Sequence, residues 1–358
     1  MSKNNDLRAL FFDAARTEDG ILIASEENRR YLTDFPSSDG FVLLTTDDAV
    51  FLTDSRYIEA AQAAVTTMRT EEQKETFAQL SAFFAGHGVK NIHIEAERMT
   101  VAQMNRLRAA LSDFSIVADG RLDDCIGALR CIKYDDEVAR IVKAQRIAEA
   151  ALTHIYGFIA PGKTEKEIAL ELDHYMLSHG AEALSFETIA VSGANSSMPH
   201  GVPSDKKIEV GDFITMDFGA VWQGLHSDMT RTVAVGRVSE KQKLVYNTVL
   251  EAQQTAEAAV RAGVPAAQID KIARDIIENA GFGAYFRHGT GHGVGYEIHE
   301  LPNVSPRSNY TLQSGNIITV EPGIYIPGEF GVRIEDMMLV NETDGTVLTD
   351  ADHQLIIL

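Results

Sequence analysis

Short apolar runs alternate with helical-period stretches along the first third of the chain. ILIAS at 21–25 and FVLLTTDDAVFLTD at 41–54 read as strands, the second a hairpin turning at Asp47 and Asp48. RYIEAAQAA at 56–64 has helical spacing, NIHIE at 91–95 is a further strand, and TVAQMNRLRAAL reads as a helix capped by Thr100. Together they predict a small α/β domain that holds no catalytic constellation of its own. A join falls near 126–135. The long helix DDEVARIVKAQRIAEAALTHIYGFI follows it, with Val138, Ile141, Val142, Ala148 and Leu152 as its apolar stripe. The next helix, in PGKTEKEIALELDHYML, carries a capping box between Thr164 and Glu167.

The rest of the chain repeats this plan. SEKQKLVYNTVLEAQQTAEAAV at 239–260 is a long helix with Ser239 as its cap, and AGVPAAQIDKIARDIIENAG is a second helix ending at Gly281. The strand phrase GDFITMD at 211–217 returns as GNIITVE at 315–321. Glu137 lies 103 residues before Glu240, Gly162 lies 101 before Gly263, and Gly211 lies 104 before Gly315. A helix–helix–strand-pair order recurring at a nearly constant offset predicts a duplicated, pseudo-two-fold domain.

Bulk properties narrow the function. With 358 residues, two domains are expected, and 45% hydrophobic residues suffice for sizeable cores. A net charge of −20 argues against nucleic acid as the main partner. The two cysteines, Cys125 and Cys131, suit a reducing compartment, and no CxxC zinc motif is present. MSKNNDLRAL has no signal-peptide pattern, and no apolar run reaches the ~18 residues of a membrane span. The expectation is a cytoplasmic protein with no membrane partner.

The candidate chemistry lies in the repeated strands. Asp217 closes the first phrase and Glu321 the second, and each is followed by another acid, Asp228 and Glu335. Side chains alternate along a strand, so a hairpin can turn both of its acids to one side. A carboxylate ending an apolar run is costly to bury unless it is paired or ligated. One such acid is ordinarily solvated; four in a symmetric pattern point to bound metal, two ions being the simplest reading. In HGTGHGVG at 288–295, glycines flank His292, so the backbone can approach closely while the imidazole projects. Carboxylates plus one imidazole suit manganese, cobalt, iron or zinc.

MDFG with Asp217, SDMTRT with Asp228, HGTGHGVG with His292, EPGIY with Glu321 and RIED with Glu335 resemble the motifs of the pita-bread metallopeptidases. That family includes Xaa-Pro aminopeptidases, Xaa-Pro dipeptidases and methionine aminopeptidases. NRRYLTDF at 28–35 and LTDSRY at 52–57 resemble the extra N-terminal domain of the proline-specific members. The resemblance implies an α/β (α+β) architecture: a creatinase-like domain at 1–128 and a pita-bread catalytic domain at 129–358. It implies two divalent ions, manganese first and cobalt, zinc or iron as alternatives. Their ligands would be Asp217, Asp228, His292, Glu321 and Glu335, with Asp228 and Glu335 bridging.

By the same resemblance, His200 and His299 line the active site, and His288, Tyr325 and Arg333 surround the proline pocket. Small proline-containing peptides are the implied substrates and a homodimer the implied assembly. An Xaa-Pro bond is a tertiary amide without an N–H, so strand-gripping peptidases fit it poorly. A two-metal centre can activate water instead, with Glu321 moving a proton to the leaving nitrogen, His299 donating to the oxyanion and His200 close to the scissile bond. Glu321→Gln is expected to lose nearly all turnover. Methionine aminopeptidase-like and creatinase-like enzymes and a non-catalytic pita-bread binding protein are the alternatives. Asn303, in HELPNVS, weakens a strict dipeptidase reading, because many dipeptidases carry arginine there.

Overall fold

The computed structural model describes residues 3–12 and 17–358, so Met1 and Ser2 of the leading stretch lie outside the described residues. The chain divides into two compact units, Met1–Arg130 and Cys131–Leu358.

In the first unit, β1 (Asp19–Ile23), β2 (Phe41–Leu44), β3 (Ala49–Thr53), β4 (Arg69–Glu72), β5 (Asn91–Ile94) and β6 (Ser115–Val117) form one mixed sheet in the order β4-β3-β2-β1-β5-β6. The expected β2–β3 hairpin is present, closed by Thr45 N–H donating to Asp48 O at 2.9 Å. Among the described residues six helices accompany it: α1 (Lys3–Phe11), α2 (Glu26–Thr33), α3 (Ile58–Ala64), α4 (Thr76–Gly86), α5 (Val101–Ala110) and α6 (Arg121–Cys131). Thr100 caps α5 in a capping box with Gln103. Leu22, Leu43, Leu52, Leu80, Phe84 and Ile92 form the core of this unit.

The second unit is built twice over. Its first half has α7 (Asp135–Tyr156), α8 (Glu165–Ser178), β7 (Ala183–Leu184), β8 (Ile189–Ser192), β9 (Phe213–Phe218), β10 (Ala220–Trp222), β11 (Leu225–His226) and β12 (Met229–Ala234). The second half has α9 (Glu240–Glu257), α10 (Ala266–Asn279), β13 (Gly291–Gly293), β14 (Glu300–Val304), β15 (Ile317–Val320), β16 (Gly323–Ile326), β17 (Phe330–Arg333), β18 (Asp336–Val340) and β19 (Gly345–Val347). Antiparallel triplets β8-β9-β12 and β13-β15-β18 correspond. Equivalent hydrogen bonds recur at the predicted offset: Gly162 N–H to Ile208 O (2.9 Å) matches Gly263 N–H to Leu312 O (2.8 Å), and Gly211 N–H to Val235 O (2.7 Å) matches Gly315 N–H to Val340 O (2.9 Å). Each half has its own core, α7 and α8 against the first triplet and α9 and α10 against the second.

The stripe of α7 departs from expectation. Ile141, Ala148 and Leu152 are buried, but Val138 and Val142 are only half-buried. The inner face instead includes Glu137 and Gln145. Glu137 closes a capping box onto Tyr134 N–H, and Gln145 Nε2 reaches the Met229 sulfur at 3.3 Å, so polar partners pull these positions inward.

Candidate metal centre and active site

Asp217 and Glu321 sit at corresponding ends of β9 and β15. Asp217 is paired across the ladder with Thr230, and Asp228, two residues before Thr230, shares its face. In the second half the last registered pair is Val320 with Asp336, which brings Glu321 opposite Glu335. An isolated bridge between Thr230 and Glu335 joins the two halves at this point. The duplicated strands therefore bring four acids to one place.

The strand corresponding to β8 in the second half is β13, which carries His292. Its glycines are required: a Cβ on Gly291 would lie 1.9 Å from Thr319 O, and one on Gly293 would lie 2.2 Å from Leu301 O. His292 Nδ1 lies 3.0 Å from Gly293 O. A carbonyl only accepts, so Nδ1 carries the proton and Nε2 keeps its lone pair. That lone pair faces Asp228 Oδ2 and Glu321 Oε1, both at 3.5 Å.

Burial, then the mutual repulsion of the acids, sets the electrostatics. Asp228 and Glu335 are pushed well above the usual carboxylate range, by loss of solvent first and neighbouring carboxylates second. Burial also pushes Glu321 up, to about 7, against the pull of Arg333. His292 is lowered chiefly by burial, as is His299, whose ring lies 4.4 Å from that of His292.

Among the described residues lining the site, Arg333 is the one arginine or lysine. Its guanidinium donates to Asp217 Oδ2 (2.5 Å), Tyr325 Oη (2.7 Å), Thr230 Oγ1 (3.0 Å) and Pro199 O (3.3 Å). Burial lowers its pKa, but Tyr325, Asp217, Glu321 and Glu335 outweigh that and hold it charged. The Tyr325 hydroxyl donates onward to His288 Nε2 at 3.0 Å. Burial raises Tyr325 to about 12, while burial and Arg333 lower His288 to about 4, so a neutral phenol faces a neutral imidazole. Arg333, Tyr325 and His288 thus form a continuous hydrogen-bonded chain.

All five expected ligands, together with His200, His288, His299 and Arg333, line one cavity of about 590 Å³; Tyr325 stands behind it, bonded to His288 and Arg333. Asn303 lines it as well, as do Phe186, Ile189, Val202 and Ile298. Sequence reasoning missed the supporting residues. Thr230 Oγ1 donates to Glu335 Oε2 at 2.6 Å, and Thr319 Oγ1 accepts from His292 N–H at 3.1 Å. Each lies two positions from a site acid on the same strand face, which is the signal that could have found them. Asp270 and Arg274 of α10 hold the segment before His292: Asp270 accepts from Thr290, and Arg274 donates to Phe286 O and His288 O.

Asp228, His292 and Glu335 offer ligand atoms within 4.8 Å of one another, as do Glu257, Asp336 and His353. The two groups differ in charge balance. Asp336 is paired with Arg231 at 2.7 Å, and Glu257 is raised to about 9 by burial and Asp336, so it keeps a proton. Arg231 also donates to Glu335 O at 2.7 Å, so this second group braces the site from behind. Around the first group Asp217, Asp228, Glu321 and Glu335 line a cavity in which Arg333 is the one guanidinium among the described residues. Asp217 Oδ1 and Asp228 Oδ1 are buried with no hydrogen-bond partner. Orphaned carboxylate oxygens beside an imidazole lone pair are the donor set that divalent cations complete.

Residues 139–342 match the model of metallopeptidase family M24, and residues 12–132 match the creatinase/prolidase N-terminal domain. The chain belongs to metallopeptidase family M24. Membership implies the family's dinuclear metal site, and the two matches together give a creatinase-like N-terminal domain followed by a pita-bread domain. The chain is 38% identical to an Xaa-Pro dipeptidase of Pyrococcus horikoshii over 94% of each chain. It is 40% identical to a structure of an Xaa-Pro dipeptidase from Bacillus anthracis, with a TM-score of 0.94 over 99% of each chain. A crystal structure of an X-Pro aminopeptidase from Thermotoga maritima superposes with a TM-score of 0.89 at 34% identity, covering 95% of this chain and 97% of the other. No helix among the described residues is long and apolar enough to cross a membrane.

Proposed function

We propose that this M24 metallopeptidase hydrolyses the Xaa-Pro bond at the N-terminus of peptides or in dipeptides. One observation carries the reading: Asp217, Asp228, His292, Glu321 and Glu335 converge on a single cavity beside the Arg333–Tyr325–His288 chain. The match of residues 12–132 to a creatinase/prolidase domain favours the proline branch over a methionine aminopeptidase.

Asp217, Asp228, His292, Glu321 and Glu335 would hold two divalent ions in this reading. Bound divalent ions would supply Lewis acidity toward the scissile carbonyl and an activated water at neutral pH. The remaining work falls to the protein. Glu321, at the end of β15 and lining the cavity, is the carboxylate placed to pass a proton to the departing proline nitrogen. His299 and His200 line the cavity and offer donors to the developing oxyanion and the scissile bond. Arg333, Tyr325 and His288 form a rigid polar wall for the proline, each fixed by the next. Manganese as the metal and a homodimer, both on the strength of the family resemblance, and a cytoplasmic location, on the cysteine usage, complete the proposal.

The test is product analysis of Xaa-Pro, Xaa-Pro-Yaa and Xaa-Ala-Yaa after loading with manganese, cobalt or zinc. Release of Xaa only where proline is second supports the reading. Cleavage of Met-Ala-Yaa with proline peptides untouched would overturn it.

A further inference from the structure

Glu165, the first residue of α8, is fully buried, yet it lies outside the cavity and has no place in the chemistry above. Its carboxylate makes six hydrogen bonds. Oε1 accepts from Ser192 N–H (2.7 Å), Ser192 Oγ (2.9 Å) and Asn195 Nδ2 (3.2 Å). Oε2 accepts from Ser204 N–H (3.0 Å), Ser204 Oγ (2.7 Å) and Asn195 Nδ2 (3.2 Å). Its place in the first turn of α8 adds favourable interaction with the helix dipole.

These partners are not scattered. Ser192 ends β8 and Ser204 lies twelve residues on, so one carboxylate ties together the two feet of the 192–204 loop. Asn195, inside the loop, is held by both oxygens. Lys206 Nζ braces the same foot by donating to Ser192 Oγ at 2.9 Å. The tip of the loop carries His200 and lines the cavity. Two further contacts tie the loop to the site: Pro199 O accepts from Arg333, and Ser196 Oγ accepts from Gly331 N–H at 2.9 Å. His200 itself is exposed. Its placement therefore depends on the loop that carries it.

We infer that Glu165 is a positioning residue for His200: its buried carboxylate clamps both feet of the 192–204 loop and so sets where the imidazole stands over the substrate. The inference rests on the reading of His200 as a group that touches substrate. Geometry at a reacting centre is demanding, a misplacement of about 1 Å costing up to roughly 10²-fold in rate. Glu165→Gln keeps the volume but exchanges an acceptor oxygen for an NH₂ donor, so either Ser192 or Ser204 must face donor against donor.

The experiment is a double-mutant cycle of Glu165→Gln with His200→Ala on the manganese-loaded full chain. It reads kcat, KM and bound metal with an Xaa-Pro-Yaa peptide. Glu165→Gln is expected to lower kcat by roughly 10- to 100-fold with KM and metal content near wild type. The double variant is expected to be no slower than His200→Ala alone. Unchanged kcat in Glu165→Gln, or effects that multiply in the double variant, would overturn the inference, because a merely structural role adds independently. Should Glu165→Gln fail to fold, Ser204→Ala enters the same cycle with the same criteria, since it removes the Ser204 Oγ bond to Glu165, leaving the N–H bond, without altering a buried charge. A wild-type chain inactive on every Xaa-Pro peptide would instead overturn the peptidase reading itself.

Discussion

Glu321→Gln should damage activity and stabilise the metal-free protein at once. Burial pushes the Glu321 carboxyl from 4.5 to about 7. A carboxyl raised in this way binds its proton more tightly in the folded state. The stability it contributes is therefore present below the unfolded value of 4.5 and is lost as pH rises through about 7. At about 1.4 kcal/mol per unit, the metal-free protein forfeits roughly 3 kcal/mol from this group between pH 4 and pH 8. Glutamine carries no such charge and also relieves Asp228 and Glu335, both raised in part by Glu321. For a unit of this size the gain at pH 8 corresponds to a rise in midpoint of roughly 6–12 °C. Thermal unfolding of chelated wild type and Glu321→Gln at pH 4 and pH 8 measures it. Near-equal midpoints at pH 4 and a higher variant midpoint at pH 8 are predicted, together with loss of nearly all turnover after metal is restored. A metal-free variant no more stable than wild type at pH 8 would refute the electrostatic account. A metal-loaded variant with near wild-type rate would refute the role of Glu321.

Three further outcomes follow from the same geometry. Chelation should abolish turnover and manganese restore it, and calorimetric titration should show affinity falling as pH drops below about 7, where Glu321 takes up a proton in competition with metal. Arg333→Met removes the cation that neutralises Asp217 and should destabilise the metal-free protein by about 3–5 kcal/mol in denaturant titrations, with a smaller loss once metal is bound. Thr230→Val strips hydrogen bonds from Glu335 and Arg333 and should weaken metal binding by roughly 10- to 100-fold in the same titration, with little change in fold by circular dichroism.

What could be read in advance had a period or a cap. The β2–β3 hairpin, the Thr100, Thr164 and Ser239 caps and the duplicated phrases all carry local signals that survive folding. The four acids were legible because strand alternation and an internal repeat reinforced each other. Other parts had no such signal. Strand β13 is three residues, Gly-His-Gly, held by pairing rather than propensity. Helix α4 has no side-chain cap at Glu75, and α2 none at Ser25. The α7 stripe read from aliphatic residues omits Glu137, buried through the capping box at its own helix start, and Gln145, whose partner Met229 lies on a distant strand. Thr230, Asp270, Arg274 and Glu165 look like ordinary strand and helix residues, and only tertiary contacts give them a task.

The central claim is that four carboxylates and one imidazole hold two metal ions in this cavity. Anomalous scattering from manganese-soaked crystals tests it most directly. The account predicts two peaks about 3.5–4 Å apart, bridged by Asp228 and Glu335 and flanked by Asp217, His292 and Glu321. Manganese at Glu257, Asp336 and His353 with nothing between Asp228 and Glu335 would contradict it.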